Sequence, residues 1–403
     1  MHRLLGIVLA LFLIPTCFAH AAPAYRLEGR CAGFPRLALA SLPGTCVGLV
    51  AKGLGFPRGV AVWKHDVYVV DMGAWRPGHG RLLRLGEDGT GAPEVLLTGL
   101  DEPNALAVAP DGTIYIGMLG RIAKLDFSGS KAVLTDVVTG LPDTGRHPLA
   151  ALTVAADGSL YINIGSGTDH CETPDKQPPN PALPCPESAA SPPRASIIHI
   201  TPKPGVVLHW RDAQIVATGL RNSMGLAFLP NGGLVAAVNA RDFINLADPS
   251  LSDEEEPHDT LDIIQPGANY GWPYCFDDNR PSPEYPHYDC SKMTAPSFLL
   301  PPHAAPLGLL VYQGNAIPAL KSTLIIPYHG YRAQGHRLMA MGLNQAGDPQ
   351  GAPRQVIWDW NLHPGQNPLG SPVALAELSD GSLLITEDHN GTLLRLAPDL
   401  PVD

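Results

Sequence analysis

The chain has 403 residues, of which only 16% are Asp, Glu, Lys or Arg, and it carries 42 glycines and 42 prolines. That balance is rich in turn formers and poor in charged helix formers, which argues against a helical protein. A formal net charge of −11 without any basic block argues against a nucleic-acid partner.

Residues 1–22, "MHRLLGIVLALFLIPTCFAHAA", open with Arg3, run through an apolar core and end on Ala19-His20-Ala21. This is the pattern of a secretory signal peptide spanning 1–21, cleaved after Ala21, and the expected product is a single domain over 22–403. The apolar run is short for a membrane span, so no stable membrane anchor is expected. Losing Cys17 with the leader leaves three sequence-near pairs: Cys31 with Cys46, Cys171 with Cys185, and Cys275 with Cys290. In an oxidising compartment these are expected to pair as neighbours, and no Cys-x-x-Cys spacing suggests a metal instead.

From residue 57 onward one template recurs: a Pro or polar residue, a short apolar strand, a turn, then a second strand. It reads "PRGVAVWKHDVYVVDMG" from Pro57, "PNALAVAPDGTIYIGMLG" from Pro103 and "HPLAALTVAADGSLYINIG" from His147. It returns as "RNSMGLAFLPNGGLVAAVN" from Arg221, "APLGLLVYQGNAIPALKSTLIIPYHG" from Ala305 and "SPVALAELSDGSLLITEDHNGTLLRL" from Ser371. Asp-Gly at 111, 157 and 380 and Asn-Gly at 231 mark the turns. A third strand often follows, as in "GRLLRLGEDG" and "GRIAKLDFSG". Six copies of a four-stranded unit predict an all-β fold, a six-bladed β-propeller, with a β-helix or paired sandwiches as the competing architectures. Longer spacings place loop insertions at 166–195, 241–305 and 332–370 on one face of the disc.

In a propeller the innermost strand of each blade lines a central channel. The residues just before it gather at one rim. His147, Arg221-Asn222, Asn104, Arg58, Pro306 and Ser371-Pro372 hold that position in their repeats, so they are expected to converge on one pocket. His147 is the candidate proton acceptor, since a neutral imidazole takes a proton near pH 7. Arg221 offers a fixed charge for an anionic group, and Asn222 a hydrogen bond.

The runs "GLRNSMGLAFLPNGGL" and "PGANYGWPYC" resemble the soluble quinoprotein sugar dehydrogenases that use pyrroloquinoline quinone (PQQ). "LLPPHAAPLGLLVYQG" is similar to the sorbosone dehydrogenase branch. The resemblance spans roughly residues 50–396 and implies a periplasmic or secreted oxidoreductase acting on an aldose or a sugar aldehyde. It implies that His147 is the catalytic base as hydride passes to PQQ. It implies that Arg221 stabilises the resulting charge, and that Asn222 and Asn104 contact the cofactor. It also implies a calcium ion (Ca2+), which would be held partly by the backbone carbonyls of Ala240 and Arg241. Asp259 and Tyr270 match a second, structural calcium site, with Thr260 where an acid is expected.

The chain departs from that pattern. Ala240-Arg241 stands where Gly-Pro is common, and Ser371 and Val373 stand where some members carry arginines for the cofactor's carboxylates. His329 and Arg332 are the candidates to compensate. No Cys-x-x-Cys-His haem motif occurs, so a separate periplasmic electron acceptor is implied. A rival reading is a cofactor-less propeller that binds carbohydrate or a protein. Another is a calcium-dependent lactonase, for which no acidic residue stands at the inner-strand starts. "SDEEEPHD" at 252–259 reads as an acidic loop facing water. The proline-rich run 174–193 reads as a rim loop stapled by Cys171 and Cys185. His303 is weighed between substrate contact and packing, and Trp75 and Trp272 as stacking surfaces for sugar rings.

Overall fold

The computed structural model describes residues 25–400 apart from 88, 90, 130, 331 and 361–369, so the expected leader 1–21 lies outside the described residues. Each repeat folds as a four-stranded antiparallel meander, and six such sheets form the six-bladed β-propeller. In the first blade the strands are Pro57–Trp63, Asp66–Asp71, Gly80–Gly86 and Glu94–Leu100, and in the third Leu152–Val154, Leu160–Ile164, Ser196–Ile200 and Gln214–Thr218. The sixth blade is composite. Its inner strands Pro372–Glu377, Leu383–Glu387 and Thr392–Pro398 come from the end of the chain, and its fourth, Thr45–Ala51, comes from the beginning, with Leu396 opposite Val47. This closure of the ring was not legible in the repeats, which begin after residue 50. The hairpin Leu27–Cys31 and Phe34–Leu37 adds two further strands outside it, stapled by the Cys31–Cys46 disulfide.

The strands are apolar on both faces because each sheet is sandwiched between two others. In the first blade Val67 and Val69 pack towards the sixth, against Leu384 and Leu393, whereas the alternate residues Tyr68 and Val70 pack towards the second, against Ile114 and Ile116. The same alternation gives separate cores between the second and third, third and fourth, fourth and fifth, and fifth and sixth blades. Truncating one fully buried residue such as Ile162 to alanine costs about 2–5 kcal/mol at such a site.

The repeated turns share one hydrogen-bond pattern. The Oδ1 atoms of Asp111, Asp157 and Asp380 accept the amides of Thr113, Ser159 and Ser382 at 2.9, 2.9 and 3.0 Å, with the intervening glycine at positive φ, +83° at Gly158. All three expected disulfides form.

Two of the expected insertions also hold strands of their blades. The span 241–305 contains the strands Asp259–Ile263 and Phe298–Leu300 of the fourth blade, and 332–370 contains Arg337–Leu343 and Pro349–Trp358 of the fifth. Their long connections hid the repeat. The span 166–195 is a true insertion between the second and third strands of its blade, folded as turns under the Cys171–Cys185 bridge. Among the described residues no helix is long and apolar enough to cross a membrane.

Candidate functional site

The inner strands of all six blades line the axial channel. At one end it opens into a recess of about 180 Å³ lined by Arg58, Trp75, Arg146, His147, Asn222 and His329, among others. Antiparallel pairing explains the convergence. It sets the start of each inner strand beside the end of the second, as Pro57 lies opposite Asp71 and Pro372 opposite Glu387, so both ends feed one rim.

His147 is held in one tautomer. Its Nδ1 lies 2.9 Å from Ser166 Oγ and 3.2 Å from the Ser166 carbonyl, while Ser166 Oγ itself donates to Thr168 O at 2.6 Å. Both neighbours therefore accept, Nδ1 carries the proton, and the lone pair sits on Nε2. The loop bearing His147 is clamped from behind by Arg194, which donates to the carbonyls of Thr144, Gly165 and His147 at 3.0, 2.9 and 3.4 Å. Gly165 presses against the ring's root: a β-carbon there would meet His147 Cβ and O at 2.6 Å. Burial, with the positive charges of Arg221 and Arg146, pushes the imidazole down to about 2, so it is neutral at any working pH.

Arg221 is placed differently from the expectation. Its Nε donates to the Asp169 carbonyl at 3.0 Å, its Nη1 to the carbonyls of Asn239 and Ala240, and its Nη2 to the Asp169 carboxylate. Only 4% exposed, the guanidinium faces Asp169, and Arg221 is not among the residues lining the recess. Its link to His147 is through backbone and charge, since its carbonyl accepts the Ser166 amide at 2.8 Å. Burial would raise the Asp169 carboxyl, but Arg221, His170 and Arg146 together hold it well below the usual carboxylate range.

Of the other expected residues, Asn222 and His329 line the recess. His329 Nε2 lies 3.0 Å from Asp388, and Asn104 Oδ1 accepts from Arg58 Nε at 3.1 Å. Arg332 is engaged elsewhere, paired with Asp253 at 2.6 Å and lying over the Phe243 ring, so it does not reach this recess. The Ala240 carbonyl accepts from Arg221, and the Arg241 side chain is buried against Glu284 at 2.6 Å. Asp259 spends its two oxygens on the amides of Ala240 and Ala305, and Tyr270 Oη bonds Ile263 O and the Gln265 amide, which makes both of them stitches between loops. Trp272 is buried with Nε1 on the Asp169 carbonyl, and His303 is held between Asp242 and Asp253. In the acidic loop Glu254 and Glu255 face water, but Asp253 and Asp259 do not.

A family model described as "Glucose / Sorbosone dehydrogenase" matches residues 120–330, more than half of the chain. The chain belongs to the glucose/sorbosone dehydrogenase family. Among solved structures it is similar to a Trichoderma reesei carbohydrate-active enzyme of family AA12 (19% identity, TM-score 0.73, covering 90% of this chain and 98% of that one). It is similar to the holo PQQ domain of Coprinopsis cinerea pyranose dehydrogenase (18%, TM-score 0.71, 91% and 99%). It also resembles a PQQ-bound aldose sugar dehydrogenase of Streptomyces coelicolor (19%, TM-score 0.60, 89% and 99%). At these identities the structures speak to the fold. An uncharacterised Borreliella burgdorferi protein is 26% identical over 199 residues, 47% of this chain, and the chain spans half the length of that relative.

In this glucose/sorbosone dehydrogenase family propeller the rim holds groups that the inner-strand starts did not reveal. Asp388, just past the second strand of the sixth blade, bridges Arg58 at 2.6 Å and His329 at 3.0 Å in a buried triad. Burial opposes its ionisation, but His329 and Arg58 hold its carboxyl down to about 2. Arg58 thus brings a cation to the mouth from the first blade, where Ser371 and Val373 bring none. Asn239, just past the second strand of the fourth blade, also lines the recess, and the Oδ1 atoms of both Asn222 and Asn239 are buried without a hydrogen-bond partner. An unpaired buried carbonyl is costly, so two at one mouth mark a place made for a bound group. Asp388 and Asn239 each stand one residue past the second strand of their blade.

Proposed function

We propose that this family member is a PQQ- and Ca2+-dependent dehydrogenase that oxidises a carbinol of a sugar, with His147 as the base. The observation that carries this reading is the fixed Nε2 lone pair of His147 at the channel mouth, beside cationic Arg58 and Arg146. The donor set suits the two groups. The unpaired Oδ1 atoms of Asn222 and Asn239 are hard oxygens of the kind calcium takes, and Arg58 and Arg146, paired with Asp388 and Asp242, would turn their remaining N–H groups to the carboxylates of an anionic cofactor. When bound, PQQ supplies the two-electron acceptor that no side chain can provide. His147 accepts the substrate hydroxyl proton at Nε2 while Ser166 keeps the ring oriented. The positive charge nearby, which together with burial keeps the imidazole neutral before substrate arrives, also favours an alkoxide-like hydroxyl next to it. Arg221 acts as a positioning residue through Asp169 and the loop of Asn239 and Ala240. Three disulfides suit the periplasm or the exterior of the cell, where a separate acceptor would take the electrons.

The test is titration of the purified protein with PQQ and Ca2+, followed by cofactor absorbance and sugar-dependent dye reduction. Saturable binding is expected, and His147→Ala should lower kcat about 10²–10⁴-fold with stability little changed. Folded protein that binds no PQQ at micromolar concentration would establish the rival, a cofactor-less carbohydrate- or protein-binding propeller, which the uncharged Ser371 and Val373 and the committed Arg221 favour. The lactonase reading needs a carboxylate available to calcium at the axis, and Asp388 is spent on Arg58 and His329.

A further inference from the structure

Glu187 stands near the end of the third-blade insertion, two residues beyond Cys185 of the Cys171–Cys185 bridge. Its carbonyl accepts the Arg194 amide at 3.0 Å, and beside it the Ser188 hydroxyl donates to the Cys185 carbonyl at 3.1 Å. From this anchorage the half-buried carboxylate reaches back to the turn that follows Ser166. One of its oxygens accepts the Gly167 amide and the other accepts the Thr168 hydroxyl. The carbonyl of the same Gly167 accepts the Arg146 amide at 2.8 Å, so that peptide is gripped from both sides. The Thr168 hydroxyl spends its one proton on Glu187 and meets the Cys171 amide, at 3.0 Å, as an acceptor. The Thr168 carbonyl in turn accepts from Ser166 Oγ at 2.6 Å, and Ser166 Oγ lies 2.9 Å from His147 Nδ1. A carboxylate in the insertion and the imidazole at the mouth are thus joined through one short turn.

We infer that Glu187 is a positioning residue for His147: by gripping the Gly167-Thr168 turn it keeps the Thr168 carbonyl on the Ser166 hydroxyl, and so keeps the proton of the neutral imidazole on Nδ1. A serine hydroxyl both donates and accepts. While the Thr168 carbonyl takes its hydrogen, it offers Nδ1 only a lone pair. Released from that carbonyl, it is free to turn its hydrogen onto Nδ1, and the ring proton then belongs on Nε2, the nitrogen that the dehydrogenase reading needs bare. The Ser166 carbonyl, 3.2 Å from Nδ1, goes on accepting, so losing Glu187 mixes the two tautomers and does not invert them. Arg194 holds the same loop through its carbonyls and fixes where His147 stands; Glu187 fixes which nitrogen carries the proton. The inference concerns the ring itself, and only its effect on turnover rests on the dehydrogenase reading.

The experiment reads the imidazole nitrogen resonances of His147 by NMR in the unloaded protein at neutral pH, assigned by their loss in His147→Ala. Beside them it reads kcat, KM and PQQ absorbance of the PQQ- and Ca2+-loaded enzyme. Wild type is expected to show one tautomer, protonated on Nδ1. Glu187→Ala is expected to show both, with kcat lowered about two- to tenfold, in step with the share of Nε2-protonated ring, and with KM and PQQ binding held. Glu187→Gln, which keeps the shape and one acceptor, is expected to fall between the two. Ser188→Ala cuts a neighbouring bond of the same insertion and is expected to lower stability while leaving the tautomer as in wild type. A single Nδ1-protonated form in Glu187→Ala, or mixing as strong in Ser188→Ala, overturns the inference. Should Glu187→Ala not fold, Glu187→Gln decides, and a pure Nδ1-protonated form there overturns it. Mixed tautomers with kcat unchanged uphold the role of Glu187 and remove His147 as the base. If the loaded wild type oxidises no sugar, the dehydrogenase reading falls and the resonances alone decide.

Discussion

Arg221 and Asp169 are locked together in the interior, Nη2 on Oδ1, with side chains 4% and 7% exposed. The pair joins the insertion of the third blade to the loop after the second strand of the fourth, and Trp272 and the Asp242 amide close in on the same aspartate. A residue expected at the cofactor is therefore, in the protein itself, a tie between blades.

Replacing Arg221 with leucine takes from buried Asp169 its most deeply buried partner and leaves it to Arg146 and His170, at 3.3 and 3.1 Å. The expected loss in chemical denaturation is about 2 kcal/mol, below the cost of a buried charge left with no partner at all. Adding Asp169→Asn should recover part of it. Two single losses that simply add would show that the residues do not act as a pair.

Gly165 has no room for a methyl group against His147. Gly165→Ala should displace the imidazole and lower kcat while PQQ binding, read by absorbance, holds. Gly158→Ala, where a β-carbon meets open space but φ is +83°, is the control: it should lower stability and spare kcat. Equal kcat in the Gly165 variant and wild type would mean that His147 is not positioned by this contact.

His147 is held neutral by burial first and by Arg221 and Arg146 after it. In an NMR titration of the unloaded protein its ring should keep neutral shifts down to pH 4, with no transition near the usual histidine value of about 6.5. Arg146→Gln removes one of the opposing charges and should move the midpoint upward. A wild-type midpoint near 6.5 would contradict the buried, cation-flanked setting.

Burial raises the Asp262 carboxyl from 3.8 to about 7, opposed by its bonds to Thr260 and Ser297. The fold therefore holds this proton more tightly than the unfolded chain does. Its stabilisation is complete below pH 3.8 and disappears as pH rises through about 7, a change of up to about 4 kcal/mol. Asp259 and Glu387, each raised to about 6 by burial, act in the same direction. Thermal midpoints should fall between pH 5 and pH 8, and Asp262→Asn should flatten that fall. A wild-type midpoint that climbs over this range would refute the assignment.

The blades were readable because a strand buried on both sides needs apolar residues throughout and a tight Asp-Gly or Asn-Gly turn at its end. Ile114 to Met118 and Leu234 to Val238 announce themselves in that way. Where the connections lengthen, as between Asp259–Ile263 and Phe298–Leu300, the spacing fails and strands pass for insertion. The rim was half legible. Residues before an inner strand, such as His147 and Asn222, could be aligned by their repeats. Their counterparts Asp388, Asn239 and Asp71 arrive by antiparallel pairing, one strand later, where no motif marks them. What a rim side chain touches depends on loops with no period at all, which is why the partners of Arg221 and Arg332 became visible only in three dimensions.

The seam of the disc passes through the mouth. Arg58 belongs to the first blade, Asp388 to the last, and the last blade is finished only when Thr45–Ala51 is laid against Thr392–Pro398. Assembly of the cationic mouth and joining of the chain's two extremities are thus one event. A polypeptide that lacks either Thr45–Ala51 or Thr392–Pro398 leaves that blade, and the ring it closes, unfinished.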